Sequence, residues 1–173
     1  MSDERPTTLV LVGPMGAGKT SVGRRVAKHL QVPFIDTDRR IVVAHGAIAD
    51  IFRDHGEPHF RDLERAVVAD SIAEGGVISV GGGAVTDTAT RSLLRDQPVA
   101  FLTVSRDAVA ERIGGAARPL LNTDEEDPVD RWARILEERR AWYEEVATAV
   151  YDTSRRPMAR IAHEIAEWRR GLA

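Results

Sequence analysis

One stretch of the chain carries the residue types of a phosphate-binding site. Residues 13–21 fill every position of the pattern G-x-x-x-x-G-K-[ST], as Gly13-Pro14-Met15-Gly16-Ala17-Gly18-Lys19-Thr20-Ser21. Glycines let backbone amides approach a polyphosphate, and the start of a following helix adds unpaired N–H groups and a partial positive charge. The lysine supplies a full charge for the outer phosphates, and the adjacent hydroxyl can bind Mg²⁺. These residues predict that the chain binds a nucleoside triphosphate.

The elements around this loop are those needed to position it. An apolar run at residues 9–12 predicts a buried strand, and Val22, Val26 and Leu30 recur at helical spacing after Lys19. Strands are further predicted at residues 32–35, 77–80, 99–104 and 149–152, and helices at 39–43, 48–54, 59–73, 88–95, 107–112, 129–148 and 158–169. Strands that alternate with helices predict an α/β fold, with a five-stranded parallel sheet covered by helices on both faces.

Length and composition exclude several classes of protein. A chain of 173 residues predicts a single domain, residues 1–173. The net charge of −3 gives no general attraction to nucleic acid or to a membrane surface. The chain has no cysteine for disulfides or thiolate metal sites, no apolar stretch near the roughly 20 residues of a membrane span, and no apolar signal-peptide core. We therefore expect a cytoplasmic protein. We also expect a monomer.

Two aspartates follow the second predicted strand, where a parallel sheet presents its ligands. With a bound Mg·ATP nearby, one of Asp36 and Asp38 could reach the metal, while the other could hold the acceptor hydroxyl and take or orient its proton. The alternative is that Asp38 simply caps the next helix, since aspartate is common at that position.

A triple glycine, Gly81-Gly82-Gly83, follows the third predicted strand. Three consecutive glycines are costly in conformational entropy, so they indicate close approach of the backbone to a ligand; the alternative is a loose turn. An acidic magnesium partner is common at the end of such a strand, but the sequence there is Ser79-Val80-Gly81. Any acidic partner for the metal must therefore come from Asp36 or from elsewhere.

Position decides which arginines matter, because every basic residue except Lys19 and Lys28 is an arginine. Arg139 lies on the apolar stripe of its predicted helix, where a guanidinium needs an anion unless its stem reaches the solvent edge. Arg61 borders an apolar helix face and could form either a ligand contact or a surface ion pair with Glu64.

The longest irregular segment, about residues 113–128, exceeds the usual length of a connection and is typical of a functional lid or a disordered loop. Arg118 lies within it and could neutralise a transferring phosphoryl group on closure, or could be an ordinary surface residue. The histidines predict no metal site, because Gly56 and Pro58 interrupt the His55/His59 pair and the other histidines are isolated.

Together these features resemble the shikimate kinase family, from about residue 9 to residue 157. Besides the phosphate loop, the likeness rests on Phe34-Ile35-Asp36-Thr37-Asp38, Ile48-Ala49-Asp50-Ile51-Phe52, Phe60-Arg61-x-x-Glu64, Gly81-Gly82-Gly83-Ala84, Arg118-Pro119-Leu120-Leu121 and Arg139-x-x-x-Tyr143. The resemblance implies the three-layer fold of nucleoside monophosphate kinases with a mobile lid. It implies transfer of the ATP γ-phosphate to the 3-hydroxyl of shikimate, on the route to chorismate and the aromatic amino acids.

The resemblance also implies roles for individual residues. Lys19, Asp38 and Arg118 would be catalytic, and Thr20 and Asp36 would hold Mg²⁺. ATP would be bound by Gly16, Ala17, Gly18, Lys19, Thr20, Ser21, Arg112, Arg118 and Arg156, the arginines at 112 and 156 lying by the adenine. Shikimate would be bound by Asp38, Phe52, Phe60, Arg61, Gly81, Gly82, Gly83, Pro119 and Arg139, with Arg61 and Arg139 on its carboxylate.

Departures from the family pattern are small. Ala17 replaces a small polar residue, Ala47 replaces a common Ser or Thr helix cap, and the segment between Gly115 and Arg118 is short, which affects the alignment of Arg112. The competing interpretations are another small-molecule kinase of this architecture, such as a gluconate or nucleoside monophosphate kinase, and a nucleotide-binding module without catalysis.

Overall fold

The computed structural model describes residues 7–113 and 126–172. Its strands are β1 (Thr8–Val12), β2 (Phe34–Asp36), β3 (Gly76–Ser79), β4 (Val99–Thr103) and β5 (Ala149–Asp152). Its helices are α1 (Lys19–Leu30), α2 (Thr37–His45), α3 (Ile48–His55), α4 (Glu57–Glu74), α5 (Thr88–Arg95), α6 (Arg106–Ile113), α7 (Pro128–Val146) and α8 (Met158–Arg170), with a short 3₁₀ turn at Ala84–Thr86. The predicted alternation of strands and helices is confirmed.

All five strands form one parallel sheet in the order β2-β3-β1-β4-β5. The central strand β1 reads Thr-Leu-Val-Leu-Val and is buried along its whole length, as expected of a strand with helices on both faces. Pro33 immediately precedes β2, which is an edge strand, and a proline is tolerated at that position because an edge leaves backbone donors unpaired.

Two apolar clusters bury the faces of the sheet. One joins β1 and β4 to α1, α6 and α8, through residues such as Leu11, Val26 and Ile165. The other joins the opposite side chains of the same strands to α4, α5 and α7, through Val10, Val68 and Tyr143. A third, smaller cluster of Ile41, Ile51 and Phe60 holds α2, α3 and α4 together beside the sheet.

The second strand begins two residues later and ends one residue later than predicted. It runs from Phe34 to Asp36 because its ladder with β3 pairs Asp36 with Ser79. Helix α2 consequently begins at Thr37, and its capping side chain is that of Asp36, which accepts a hydrogen bond from the Arg39 backbone N–H at 3.1 Å. The alternative that Asp38 caps this helix is therefore wrong.

Parallel strands place their carboxyl ends at one edge of the sheet. The phosphate loop follows β1, Asp36 and Asp38 follow β2, and the triple glycine follows β3, so the three segments converge at this edge. None of the helices that the structure describes is long and apolar enough to cross a membrane.

Candidate active site

The phosphate loop connects β1 to α1 and opens into a cavity of about 560 Å³. Gly16 and Gly18 adopt the left-handed backbone conformation, with φ of 82° and 88°, which other residues rarely adopt. The Lys19 ammonium donates hydrogen bonds to the carbonyl oxygens of Gly13 and Pro14, at 2.7 and 3.1 Å. The loop residues that line the cavity are Met15, Gly16, Gly18, Lys19, Thr20 and Ser21.

Two residues from other parts of the chain brace this loop. The Arg112 guanidinium on α6 donates to the Gly16 carbonyl at 2.7 Å and also bonds the Thr153 carbonyl. The buried Thr153 hydroxyl after β5 donates to the Ala17 carbonyl at 2.8 Å. Arg112 lines the phosphate cavity, whereas the Ala17 side chain is buried beneath the loop and does not.

The hydroxyl and carboxylate expected to hold a metal both line the phosphate cavity, Thr20 from the first turn of α1 and Asp36 from the end of β2. Hard oxygen donors of this kind suit Mg²⁺, which usually keeps several waters and needs one or two carboxylates from the protein. The described residues include no group of three carboxylates or histidines that could enclose an ion on their own. This donor set therefore fits magnesium bound together with a phosphate.

A second cavity of about 540 Å³ adjoins the first. Met15, Asp38, Gly81 and Gly82 line both cavities, so they form the boundary between them. The second cavity is otherwise lined by residues of α3, α4 and α7, the phosphate loop and the triple glycine, namely Pro14, Ile48, Ala49, Phe52, Glu57, Phe60, Arg61, Glu64, Gly83, Arg131, Trp132, Ile135, Arg139 and Tyr143. We call it the acceptor cavity.

Each glycine of the triple-glycine segment faces a different charged side chain. A β-carbon built on Gly81 would lie 2.6 Å from Asp38 Oδ1, and one on Gly83 would lie 2.6 Å from Arg61 Nη2. A β-carbon on Gly82 would lie 3.7 Å from Arg139 Nη1. Close approach of functional side chains therefore explains the first and third glycines, and a loose turn does not.

Arg61 forms a buried ion pair rather than a surface one. Its Nη1 lies 2.8 Å from Oε1 of Glu64, whose side chain is 1% exposed, and its Nη2 lies 3.1 Å from the more exposed Glu57. Burial raises the pKa of Glu64 to about 7, although the Arg61 guanidinium acts in the opposite direction. The spacing in the sequence predicted this pair but not its burial, because other helices form the apolar wall around it.

Asp38 is the carboxylate nearest the junction of the cavities. Burial raises its pKa above the ordinary value, and the neighbouring Asp36 raises it further, while Lys19 and Arg61 act against both. A raised pKa makes this carboxylate a better proton acceptor than an exposed aspartate. Its position and its environment are consistent with proton transfer from a group bound in the acceptor cavity.

Arg139 points into the acceptor cavity from the middle of α7, between Trp132 and Tyr143 on the same face. The buried Tyr143 hydroxyl donates to the Gly82 carbonyl at 2.5 Å. Burial raises the pKa of Tyr143, and the nearby Arg139 guanidinium acts against that rise. Neighbouring Arg140 instead pairs with Glu137 on the exposed face. Arg139 therefore lines the acceptor cavity and does not extend to the solvent edge of the helix.

The remaining predicted site residues divide into three groups. Phe52 and Phe60 line the acceptor cavity with their ring centroids 4.8 Å apart, and the Arg61 guanidinium lies 5.1 Å from the Phe60 ring centre. Arg156 does not line the phosphate cavity and pairs with Glu164 on α8. Arg118, Pro119 and most of the predicted lid lie outside the described residues.

Several cavity residues were not predicted from the sequence. Arg131, Trp132 and Ile135 occupy the first half of α7, and nothing in their spacing separated them from ordinary core and surface positions. Arg131 contributes a third guanidinium to the cavity wall, and no described residue accepts a hydrogen bond from its buried Nε.

Comparison with known proteins identifies the chain. The model of the family described as shikimate kinase matches residues 15–170. The chain belongs to the shikimate kinase family. A shikimate kinase from Streptomyces coelicolor is 47% identical over 151 residues, which cover 86% of each chain.

The structural comparison agrees with this membership. A shikimate kinase from Acinetobacter baumannii, solved in complex with shikimate, superimposes with a TM-score of 0.86 and 32% identity over 98% of this chain and 96% of that one. A gluconokinase from Sinorhizobium meliloti has a TM-score of 0.60 at 24% identity, over 98% of this chain and 94% of that one, and shares the fold alone. The chain is therefore a P-loop kinase of the shikimate kinase family, and the predicted fold class is confirmed.

Proposed function

We propose that this chain transfers the γ-phosphate of ATP to the 3-hydroxyl of shikimate, giving shikimate 3-phosphate and ADP on the route to chorismate and the aromatic amino acids. Family membership supports the reaction. The structural observation that carries it is the position of Asp38, which lines both the phosphate cavity and the cavity into which Arg61 and Arg139 point. An acceptor with a hydroxyl at one end and a carboxylate at the other matches this arrangement.

ATP is the phosphoryl donor, bound by the phosphate loop. The backbone N–H groups of Gly16, Gly18 and the first turn of α1 surround the phosphates, and Lys19 moves its charge from the loop carbonyls to the outer phosphates. Thr20 and Asp36 would hold Mg²⁺, which when bound offsets charge on the phosphate oxygens. Arg112 lines the phosphate cavity. Arg156 and the lid residue Arg118 are also expected to contact the nucleotide.

Shikimate occupies the acceptor cavity with its carboxylate on Arg61 and Arg139. A guanidinium matches the plane of a carboxylate through two parallel hydrogen bonds, so two of them fix the orientation of the ring. Phe52 and Phe60 form the apolar wall, Pro119 is expected to close it from the lid, and Gly82 offers a backbone N–H. This orientation brings the 3-hydroxyl to Asp38.

The transfer exchanges one P–O bond for another. The acceptor hydroxyl oxygen attacks the γ-phosphorus as the bond to the β,γ-bridging oxygen breaks, and ADP leaves with that electron pair. Asp38 orients the hydroxyl and takes its proton, which its raised pKa favours. Lys19 and Arg118 stabilise charge on the transferring group.

A coupled assay of ADP release tests the proposal. We expect turnover that requires both shikimate and Mg²⁺ and that is absent with gluconate, the acceptor of the gluconokinase that shares the fold. Turnover with gluconate and no dependence on shikimate would refute the assignment. Removal of Mg²⁺ with EDTA, followed by restoration with MgCl₂, tests the metal separately. A monomeric state and a cytoplasmic location stay predictions.

A further inference from the structure

Arg131 brings to the acceptor cavity a guanidinium whose hydrogen bonding is incomplete. It belongs to the first turns of α7 and lines the acceptor cavity but not the phosphate cavity. Its buried Nε has no hydrogen-bond acceptor within residues 7–113 and 126–172. The carboxylate of Glu126 lies close enough to interact with its charge, but that carboxylate pairs with Arg134 at 3.0 Å. An unpaired buried donor is unfavourable, so the guanidinium gains by turning towards an oxygen atom that enters the cavity.

The other side-chain donors in this wall already have partners or an assigned role. Trp132 and Tyr143 donate to backbone carbonyl oxygens, at 2.8 and 2.5 Å. Arg61 and Arg139 face the triple glycine, where the proposed function places the carboxylate of the acceptor. Among the described side chains of the wall, Arg131 is therefore the one left to donate a hydrogen bond to a hydroxyl group.

The position of Arg131 along α7 indicates which end of the acceptor it serves. It precedes Arg139 by about two helical turns, or about 12 Å along the helix axis. Arg139 lies level with the triple glycine, whereas Trp132, the neighbour of Arg131, donates to the carbonyl oxygen of Met15 in the phosphate loop. Met15 and Asp38 both belong to the boundary between the cavities. An acceptor that extends from Arg139 to Asp38 therefore has its hydroxyl end on the side of Arg131.

We propose that Arg131 is a specificity-determining residue that donates a hydrogen bond to the 4-hydroxyl of shikimate. In the shikimate ring C1 carries the carboxylate, and C4 lies opposite C1 and next to the carbon of the reacting 3-hydroxyl. With the carboxylate at the triple glycine and the 3-hydroxyl at Asp38, the 4-hydroxyl lies at the end of the ring nearest Arg131. The inference rests on the proposed function, because it takes shikimate as the acceptor.

Acceptors that lack one hydroxyl test this contact. A site built to hydrogen-bond a hydroxyl rejects the analogue without it, because the donor is then left unpaired. Coupled assays should give kcat/KM for shikimate, 4-deoxyshikimate and 5-deoxyshikimate, with the native chain and with Arg131→Met, which keeps an apolar stem and removes the donors. We expect the native chain to prefer shikimate to 4-deoxyshikimate by about 10-fold or more, and Arg131→Met to lose most of that preference. The preference over 5-deoxyshikimate should be the same in both proteins.

Arg134→Met is the matched control. Arg134 lies on the same helix, pairs with Glu126 and Glu138 on the exposed face, and lines neither cavity. It should keep every native preference. A native chain that accepts shikimate and 4-deoxyshikimate equally well would overturn the proposal. So would an Arg131→Met protein that loses kcat/KM equally on all three acceptors, since that is the result of a purely structural residue.

Binding measurements separate this proposal from the assignment of the reaction. Isothermal titration of the same three acceptors without nucleotide should show the same pattern in their dissociation constants, and thermal unfolding checks that Arg131→Met is folded. If the native chain phosphorylates shikimate but Arg131→Met discriminates against 4-deoxyshikimate as strongly as the native chain does, the role of Arg131 fails and the proposed function stands. A failure of the native chain to phosphorylate shikimate refutes the proposed function itself.

Discussion

Gly81 and Asp38 meet across the ends of two neighbouring strands, so closely that a β-carbon on Gly81 would lie 2.6 Å from Asp38 Oδ1 and 3.1 Å from Oδ2. It would also lie 3.1 Å from Oε2 of the buried Glu64. The glycine thus serves to leave room for two carboxylates at the boundary of the cavities.

Gly81→Ala is expected to displace Asp38 while the chain still folds. A misplacement of about 1 Å in a reacting group can lower the rate by about 100-fold, and we expect a loss of kcat of that order. Steady-state assays measure the loss, and thermal unfolding checks the fold. Gly171→Ala, at a position with φ of −67° and ordinary contacts, should keep native kcat. Native kcat in Gly81→Ala would mean that Asp38 does not need its observed position.

Asp38→Asn tests proton transfer. The amide keeps the shape of the side chain but is a very weak base, so we expect kcat to fall by about 100-fold or more while the dissociation constant of MgADP stays near native. Asp50→Asn, an exposed residue paired with Arg53, is the control. Retained turnover in Asp38→Asn would limit Asp38 to orienting the hydroxyl.

Arg139→Ala should weaken binding of the acceptor more than binding of the nucleotide. Loss of a charged hydrogen bond to the carboxylate predicts a rise of about 10-fold to 100-fold in the dissociation constant of shikimate. Arg140→Ala removes the neighbouring guanidinium, which pairs with Glu137 on the exposed face, and should change either affinity by less than about twofold. Equal losses for shikimate and MgADP in Arg139→Ala would contradict a role on the carboxylate.

Shikimate binding should depend on the ionisation of Glu64. Because burial raises its pKa to about 7, the carboxyl group is neutral below that pH and negatively charged above it. The charged form competes for Arg61 and repels the anionic acceptor, so the dissociation constant of shikimate should rise by roughly tenfold between about pH 6 and about pH 8.

Glu64→Gln is neutral at every pH and should remove this inflection, as titrations across the same range will show. Glu74→Gln, an exposed glutamate paired with Arg40, should keep it. An inflection of native size in Glu64→Gln would mean that another group, not Glu64, titrates.

Much of the site could be predicted because its signals are local in sequence. The phosphate loop needs its glycines, lysine and hydroxyl at fixed spacing between a strand and a helix, and all of these are adjacent in the chain. Asp38 and the triple glycine follow the ends of strands, and parallel strands place those ends at one edge. Arg139 was found because a charged residue on an apolar stripe breaks the helical pattern.

The amino-acid sequence by itself determined the fold class, the phosphate loop and the chemical character of the acceptor. Only the tertiary structure decided what depends on packing between distant elements. Burial of Glu64 comes from the walls that surround it, the capping role of Asp36 comes from the register of β2 with β3, and the link from Trp132 to Met15 spans 117 positions. Periodicity and spacing describe each element separately, whereas burial, register and long-range hydrogen bonds exist only once the elements are packed together.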